Sequence, residues 1–255
     1  MMAKKERADQ LLCENGLADT REGAKRCIMA GLVFYETADG RTALVEKPGT
    51  KYPLDTVFQV KGRERFVSRG AYKLLTALEG FSLPVAGAVA LDAGASTGGF
   101  TDCLLQHGAV RVYAVDVGHN QLHEKLRTDP RVVSMEKTNL RDAPVDLLPE
   151  LVDIVTADVS FISLTLVLPG CVQFLKPGGY AAALIKPQFE LGPDAAPKGV
   201  VRDEALQLAA VEKVTSFAAR ELALELVGVL PAAVKGPKGN QEYMAVWRKS
   251  GSVLR

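Results

Sequence analysis

The chain has 255 residues, 47% hydrophobic and 24% charged. That balance is too apolar for a disordered chain, and the length suits one large domain or two ordinary ones with a sizeable core. Lysine plus arginine number 31 against 30 aspartate plus glutamate, a formal charge of +1. A uniformly basic nucleic-acid coat protein is excluded, but a local basic patch is not. Cys13, Cys27, Cys103 and Cys171 contain no Cys-x-x-Cys pair, and His107, His119 and His123 make no His-Glu-x-x-His motif. Neither a disulfide framework nor a metal site is therefore expected. No apolar stretch follows Lys4, Lys5 and Arg7, and no window approaches 18 uninterrupted apolar residues. A cytoplasmic protein without stable membrane association is expected.

The pattern divides near residues 61–66. Before it, residues 5–15 and 20–30 read as helices, with Gly16 and Gly31 as stops and Thr20 as an N-cap. Residues 33–35, 42–45 and 57–60 read as strands, with Asp39-Gly40 as a turn and a Pro/Gly-rich connection from Pro48 to Pro53. From residue 88 strands alternate with helices, which predicts a parallel sheet. Strands are expected at 88–91, 110–115, 131–134, 153–157, 180–185, 224–229 and 243–248. Helices are expected at 99–106, 163–174 and 204–222, the second stopped by Lys176-Pro177-Gly178-Gly179. The expected organisation is a small α+β domain over 1–60, a basic linker and start of the larger domain over 61–87, and an α/β domain over 88–250.

The turn after the first parallel strand reads Asp92-Ala93-Gly94-Ala95-Ser96-Thr97-Gly98-Gly99-Phe100. Its glycines admit a close ligand, and the helix that follows favours polar or anionic groups. The dinucleotide pattern G-x-G-x-x-G fails because Ser96 holds its second glycine position. Asp116 closes the next strand, where a carboxylate can accept both hydroxyls of a ribose. A nucleoside-type cofactor is the reading these features favour over a plain structural turn.

Ligands of open α/β sheets lie beyond the carboxyl ends of the strands. Asp158 and Lys186 end the fourth and fifth strands there. Glu242 precedes the last strand and joins them if that strand is antiparallel. Lys73 follows the basic run Arg63, Arg65 and Arg69. Singly, each reads as a solvated loop residue. Two cations and two anions converging on a cofactor cleft suggest tuned proton affinities, with a deprotonated amine able to take a proton from an alcohol.

Five motifs in order carry a resemblance: Ser68-Arg69-Gly70-Ala71-Tyr72-Lys73-Leu74, Asp92 to Thr101, Asp158-Val159-Ser160-Phe161-Ile162-Ser163, Lys186-Pro187-Gln188-Phe189-Glu190 and Gly239-Asn240-Gln241-Glu242-Tyr243. Together they closely resemble the TlyA family of rRNA ribose 2′-O-methyltransferases, also called hemolysin A, whose catalytic half is FtsJ-like. The resemblance implies a class I, Rossmann-like methyltransferase sheet, S-adenosylmethionine as cofactor, and ribosomal RNA or ribosomal subunits as partner, with a cytidine as the target. It implies a catalytic tetrad of Lys73, Asp158, Lys186 and Glu242. Lys186 would activate the hydroxyl, Asp158 and Glu242 would hold the lysines and orient the sugar, and Lys73 would add positive charge. The cofactor set expected with it is Asp92, Gly94, Ser96, Gly98, Gly99, Phe100, Asp116, Asn139 and Asp158.

Arg7-Ala8-Asp9, Leu12, Gly16, Thr20-Arg21, Ala24, Ile28, Gly31 and Val33 resemble the small RNA-binding domain first seen in a small-subunit ribosomal protein, the S-four-like domain. That resemblance offers Arg7, Arg21, Lys25 and Arg26 to RNA, with Arg63, Arg65 and Arg69 as a second stripe. Ala8 departs from the usual leucine. Residues 1–50 carry eight basic and eight acidic side chains, so the domain is not strongly cationic. Rival readings are a membrane-lytic protein, a non-catalytic ribosome-assembly factor, and a base methyltransferase. The first lacks a basic amphipathic stretch rich in Trp or Phe. The complete tetrad opposes the second. Asp158-Val159-Ser160-Phe161 lacks the Asn/Asp-Pro-Pro-aromatic form of the third.

Overall fold

Alternating apolar residues set the layers of the larger unit. Along its central strand, Ala90 packs into one hydrophobic cluster with Leu74, Leu104 and Val246, and Leu91 packs into another with Leu168, Val214 and Trp247. A strand buried on both faces reads as an apolar run, as residues 88–91 do before Asp92. The computed structural model describes residues 4–251 apart from residues 19, 38, 63, 64, 193, 194 and 237. The chain forms two compact units, Met1–Arg65 and Phe66–Arg255.

In the first unit, strand β1 (Lys5–Arg7) leads into helices α1 (Ala8–Glu14) and α2 (Arg21–Met29). Thr20 caps α2 by accepting from the Gly23 amide at 3.0 Å. Strands β2 (Val33–Glu36), β3 (Thr42–Leu44), β4 (Lys51–Pro53) and β5 (Phe58–Val60) follow. β3-β2-β5 make one antiparallel sheet, and β1 pairs with β4. Two expectations are corrected. The first helix begins at Ala8 and not at residue 5, because residues 5–7 pair with residues 51–53. The connection from Pro48 to Pro53 accordingly contains a strand. The pairing is non-local and outweighs local helix propensity. Tyr52 of β4 anchors it, edge-on to Tyr35 and Phe58 at 4.7 and 5.2 Å between ring centres.

The second unit opens with α3 (Ala71–Gly80), a helix that the sequence reading does not contain. β6 (Val89–Ala93), α4 (Gly99–Gln106), β7 (Arg111–Val115), α5 (Glu124–Arg127) and β8 (Val132–Met135) come next. Then follow β9 (Val152–Ala157), α6 (Leu164–Val172), β10 (Leu175–Ile185), α7 (Pro187–Glu190), α8 (Glu204–Leu222), β11 (Leu224–Pro231) and β12 (Tyr243–Lys249). The seven strands lie in the order β11-β12-β10-β9-β6-β7-β8. β6 to β10 are parallel, and β12 runs antiparallel to both β10 and β11. The expected α/β class and class I sheet are thus present. β10 is longer than expected, because Lys176 to Gly179 form a register irregularity within the strand instead of ending the element. The sheet order reverses beside β6, which puts the ligand crevice at the carboxyl ends of β6, β7 and β9.

Candidate active site

β6 delivers Asp92 and then the glycine turn to this edge. Gly94 has φ +76°, and a Cβ there would lie 2.9 Å from the Asp158 carbonyl oxygen, so the turn and the end of β9 touch backbone to backbone. The Asp158 amide in turn donates to the Ala93 carbonyl at 3.0 Å. Ser96, standing where a dinucleotide turn has glycine, adopts φ +48°. Its amide donates to Asp116 Oδ2 at 2.8 Å, and the Gly118 amide donates to Oδ1 at 2.6 Å. Each carboxylate oxygen keeps a further acceptor position, as a vicinal diol requires.

Two adjoining cavities meet at Gly94, Ser96, Asp158 and Ser160. One, about 520 Å³, is lined by Asp116, Val117, Asn139 and Leu140. The other, about 600 Å³, is lined by Lys73, Asp158, Lys186 and Glu242, with Phe100 and Phe161 on its wall. The antiparallel register brings Glu242 to this edge: Ile185 pairs with Tyr243, so Lys186 and Glu242 leave the sheet together.

The four charged residues form two ion pairs. Lys186 Nζ lies 2.6 Å from Asp158 Oδ1 and donates to Ser160 Oγ at 2.8 Å. Oδ1 itself takes no aligned hydrogen bond, so the contact is purely ionic. Lys73 Nζ donates to Glu242 Oε2 at 2.6 Å, and Gln188 Nε2 donates to Glu242 Oε1 at 3.3 Å. The Lys73 and Glu242 side chains are 10% and 1% exposed, against 8% and 22% for Lys186 and Asp158. Both ammonium groups are therefore held with little water, on one cavity that meets the glycine turn.

The family model for FtsJ-like methyltransferases matches residues 66–249, which contain every element of this site. The chain belongs to that family. The Bacillus subtilis protein YqxC is 47% identical over 247 residues, which cover 96% of this chain and 86% of YqxC. The 16S/23S rRNA (cytidine-2′-O)-methyltransferase TlyA of Mycobacterium tuberculosis is 44% identical over 98% of this chain and 91% of its own length. A solved structure from Streptococcus thermophilus shares 46% identity and a TM-score of 0.71, covering 97% of this chain and 90% of that one.

Within this methyltransferase unit, not every expected site residue reaches a cavity. Asp92 is fully buried and lines neither cavity, and each of its oxygens faces a hydroxyl: Thr101 donates at 2.7 Å and Thr156 at 2.9 Å. It braces the turn from below. Burial pushes its carboxyl up to about 6, against the pull of those two hydroxyls, with nearby Asp158 adding to the rise. Gly98 is favoured by its backbone, whose φ of +95° side chains rarely adopt. Asn139 does line the cofactor-side cavity, while its Oδ1 accepts from the Arg141 amide at 3.1 Å.

A pH effect follows from Asp92. Between the ordinary aspartate value and about 6, the folded protein binds the proton and the unfolded chain does not. This group's contribution to stability is full below that window and is lost as pH rises through about 6. The loss amounts to about 3 kcal/mol. Urea unfolding of wild type and Asp92→Asn across this window should show the slope in wild type alone. Parallel curves would mean that Asp92 is not buried as a titrating acid.

Sequence reasoning missed two braces. Glu190 is 4% exposed and holds the start of α6, accepting from Ser163 Oγ at 2.5 Å and the Leu164 amide at 2.8 Å. Asn240 is 3% exposed and ties residues 199–201 to the Glu242 loop, accepting from the Val201 amide at 3.0 Å and donating to the Gly199 carbonyl at 2.9 Å. Their motifs were noticed as sequence, but nothing in one sequence announces a brace.

The residues expected to meet RNA are dispersed. Arg7 makes a bidentate pair with buried Asp9, at 2.9 and 2.8 Å, and Arg21 reaches the same carboxylate at 3.4 Å. The Arg7 guanidinium holds the Asp9 carboxyl below the usual range. Both arginines are engaged in holding their own unit. Lys25 pairs with Glu22 at 3.1 Å, while Arg26 is exposed and makes no ion pair among the described residues. Arg63 lies outside the described residues. Arg65 and Arg69 are exposed, in the first and second units respectively.

Proposed function

We propose that this methyltransferase uses S-adenosylmethionine to methylate a ribose 2′-hydroxyl, that of a cytidine, in ribosomal RNA. The observation that carries the reading is the Lys186–Asp158 pair beside the Lys73–Glu242 pair on a cavity that adjoins the glycine turn. The cofactor-side cavity suits a nucleoside, with Asp116 on the ribose hydroxyls and Asn139 also on its lining. S-adenosylmethionine would supply an activated sulfonium methyl. The chain's own residues then have to bind and align the hydroxyl and remove its proton, and alignment carries most of the rate. Lys186 takes that proton, Asp158 and Ser160 fix its Nζ, and Glu242 positions Lys73 as a standing positive charge. Ribosomal RNA as partner is supported by the name of the TlyA relative, and a cytoplasmic location goes with such a substrate.

The membrane-lytic alternative has no counterpart feature, since no helix among the described residues is long and apolar enough to cross a membrane. Incubation with tritiated S-adenosylmethionine and isolated subunits or free rRNA, followed by mapping of alkali-resistant linkages, tests the reading. Label on a base, or in no RNA at all, would overturn it.

Asp116→Ala should weaken S-adenosylmethionine binding by about 1.5–3 kcal/mol, the worth of charge-assisted hydrogen bonds to a carboxylate. Calorimetry showing unchanged affinity would remove Asp116 from the cofactor site. Deleting residues 1–65 should leave a folded second unit, which has its own two clusters of buried apolar side chains. The truncated protein should keep cofactor affinity and lose methyl transfer to rRNA. Full activity on ribosomal substrate would show that the first unit takes no part in targeting.

A further inference from the structure

Beside the catalytic cavity lies a second, polar recess of about 280 Å³, lined by Arg202, Lys235 and Lys238 with Gln207 and Gln241. Lys238 also lines the catalytic cavity, so the two concavities share a wall. All three cations are exposed, and none makes an ion pair among the described residues. The frame around them is held firmly. Asn240 ties residues 199–201 to the loop that carries Lys238. Gln207 donates to the Val201 carbonyl at 2.9 Å and accepts from the Tyr243 hydroxyl at 2.8 Å. Gln241 donates to two backbone carbonyls and Gln207 to one, so the charged donors left free in the recess are the three cations. Two carboxylates flank it. Asp203 is occupied in capping α8, where it accepts from the Ala205 amide at 2.8 Å, and Glu204 lies close enough to Tyr243 to add to the rise that burial imposes on that phenol. Three unpaired cations around a preformed hollow attract a compact anion.

We infer that this recess binds a backbone phosphate of the RNA strand adjacent to the nucleotide whose ribose enters the catalytic cavity. The inference rests on the reading of the enzyme as an RNA ribose methyltransferase, and it names residues that read the strand at the site itself. A phosphodiester fits because its charge is delocalised over two terminal oxygens, which one arginine and two lysines can share. Such a contact fixes the register of the strand and carries no base information. The shared wall at Lys238 makes the bound phosphate a near neighbour of the ribose in the larger cavity.

The test uses the full chain with Arg202→Gln/Lys235→Gln and, separately, Lys238→Gln. Binding of a short fluorescent oligoribonucleotide with a central cytidine is followed by anisotropy over a range of salt. Each lost phosphate contact should weaken binding by about tenfold and flatten the logarithmic salt dependence by about 0.7. Methylation of rRNA should lose most through KM for RNA, and calorimetric affinity for S-adenosylmethionine should match wild type. Replacing single linkages by neutral methylphosphonates should reveal one, next to the cytidine, whose neutralisation weakens wild type but not the double variant. Variants with wild-type affinity and salt slope would overturn the recess as a phosphate site, as would a methylphosphonate scan that is flat or identical in all proteins. If wild type methylates no RNA while the variants still lose affinity and slope, the recess stands and the proposed reaction fails.

Discussion

Lys186→Ala should reduce methyl transfer by roughly 10²–10⁴-fold, the range for losing a positioned acid/base group. The cofactor's affinity should stay close to wild type, because Lys186 does not line the cavity that Asp116 and Asn139 line. The fold should tolerate the change, since the Asp158 carboxylate left without its cation is 22% exposed and can take water. Lys186→Arg separates two roles. A guanidinium can pair with Asp158, but it stays protonated and cannot accept the hydroxyl proton. The arginine variant should therefore be as inactive as the alanine one. Arginine enzyme working at the wild-type rate would make Lys186 an electrostatic guide, with the proton leaving to water.

What could be read from the sequence follows from how local each signal is. β6, β7 and β9 are largely buried, so their sequences are mostly apolar, and each is followed by the charged or glycine residue that marks the crevice. The convergence of three charged residues was legible for the same reason: Asp158 and Lys186 follow strand ends, and the antiparallel β12 returns Glu242 to their edge, whereas a tetrad that includes Lys73 is implied by the family resemblance alone. β1 and β4 were not legible, because three-residue strands declare themselves only through partners more than 40 positions away. α3 is masked in the sequence by the charges of Arg65, Arg69 and Lys73, although Leu74, Ala77 and Leu78 carry a buried helical face. Asp92 stood in the cofactor motif as a candidate ligand. Only the structure shows that it is fully buried, with Thr101 and Thr156 as its partners. Arg7 and Arg21 likewise look free in sequence and are paired on Asp9 in the fold.

The Lys73–Glu242 pair is the contact where catalysis and stability are most entangled. It links the first turn of α3 to the start of β12, and water reaches little of either side chain. Glu242→Ala should cost about 3–5 kcal/mol, because it strands a buried ammonium without its counter-ion. That is a large share of the 5–15 kcal/mol typical of a folded domain, so loss of activity in this variant alone would say nothing about chemistry. The double variant Lys73→Met/Glu242→Leu separates the two. It removes both charges and keeps apolar volume in their place, so its urea midpoint should return most of the way to wild type. Methyl transfer should remain lost, because Gln188 no longer has a carboxylate to hold and the cavity no longer carries the standing charge of Lys73. A stable double variant with wild-type turnover would reduce the pair to a structural strut. A Glu242→Ala protein as stable as wild type would show that water replaces the carboxylate, and that the pair does not tie α3 to β12.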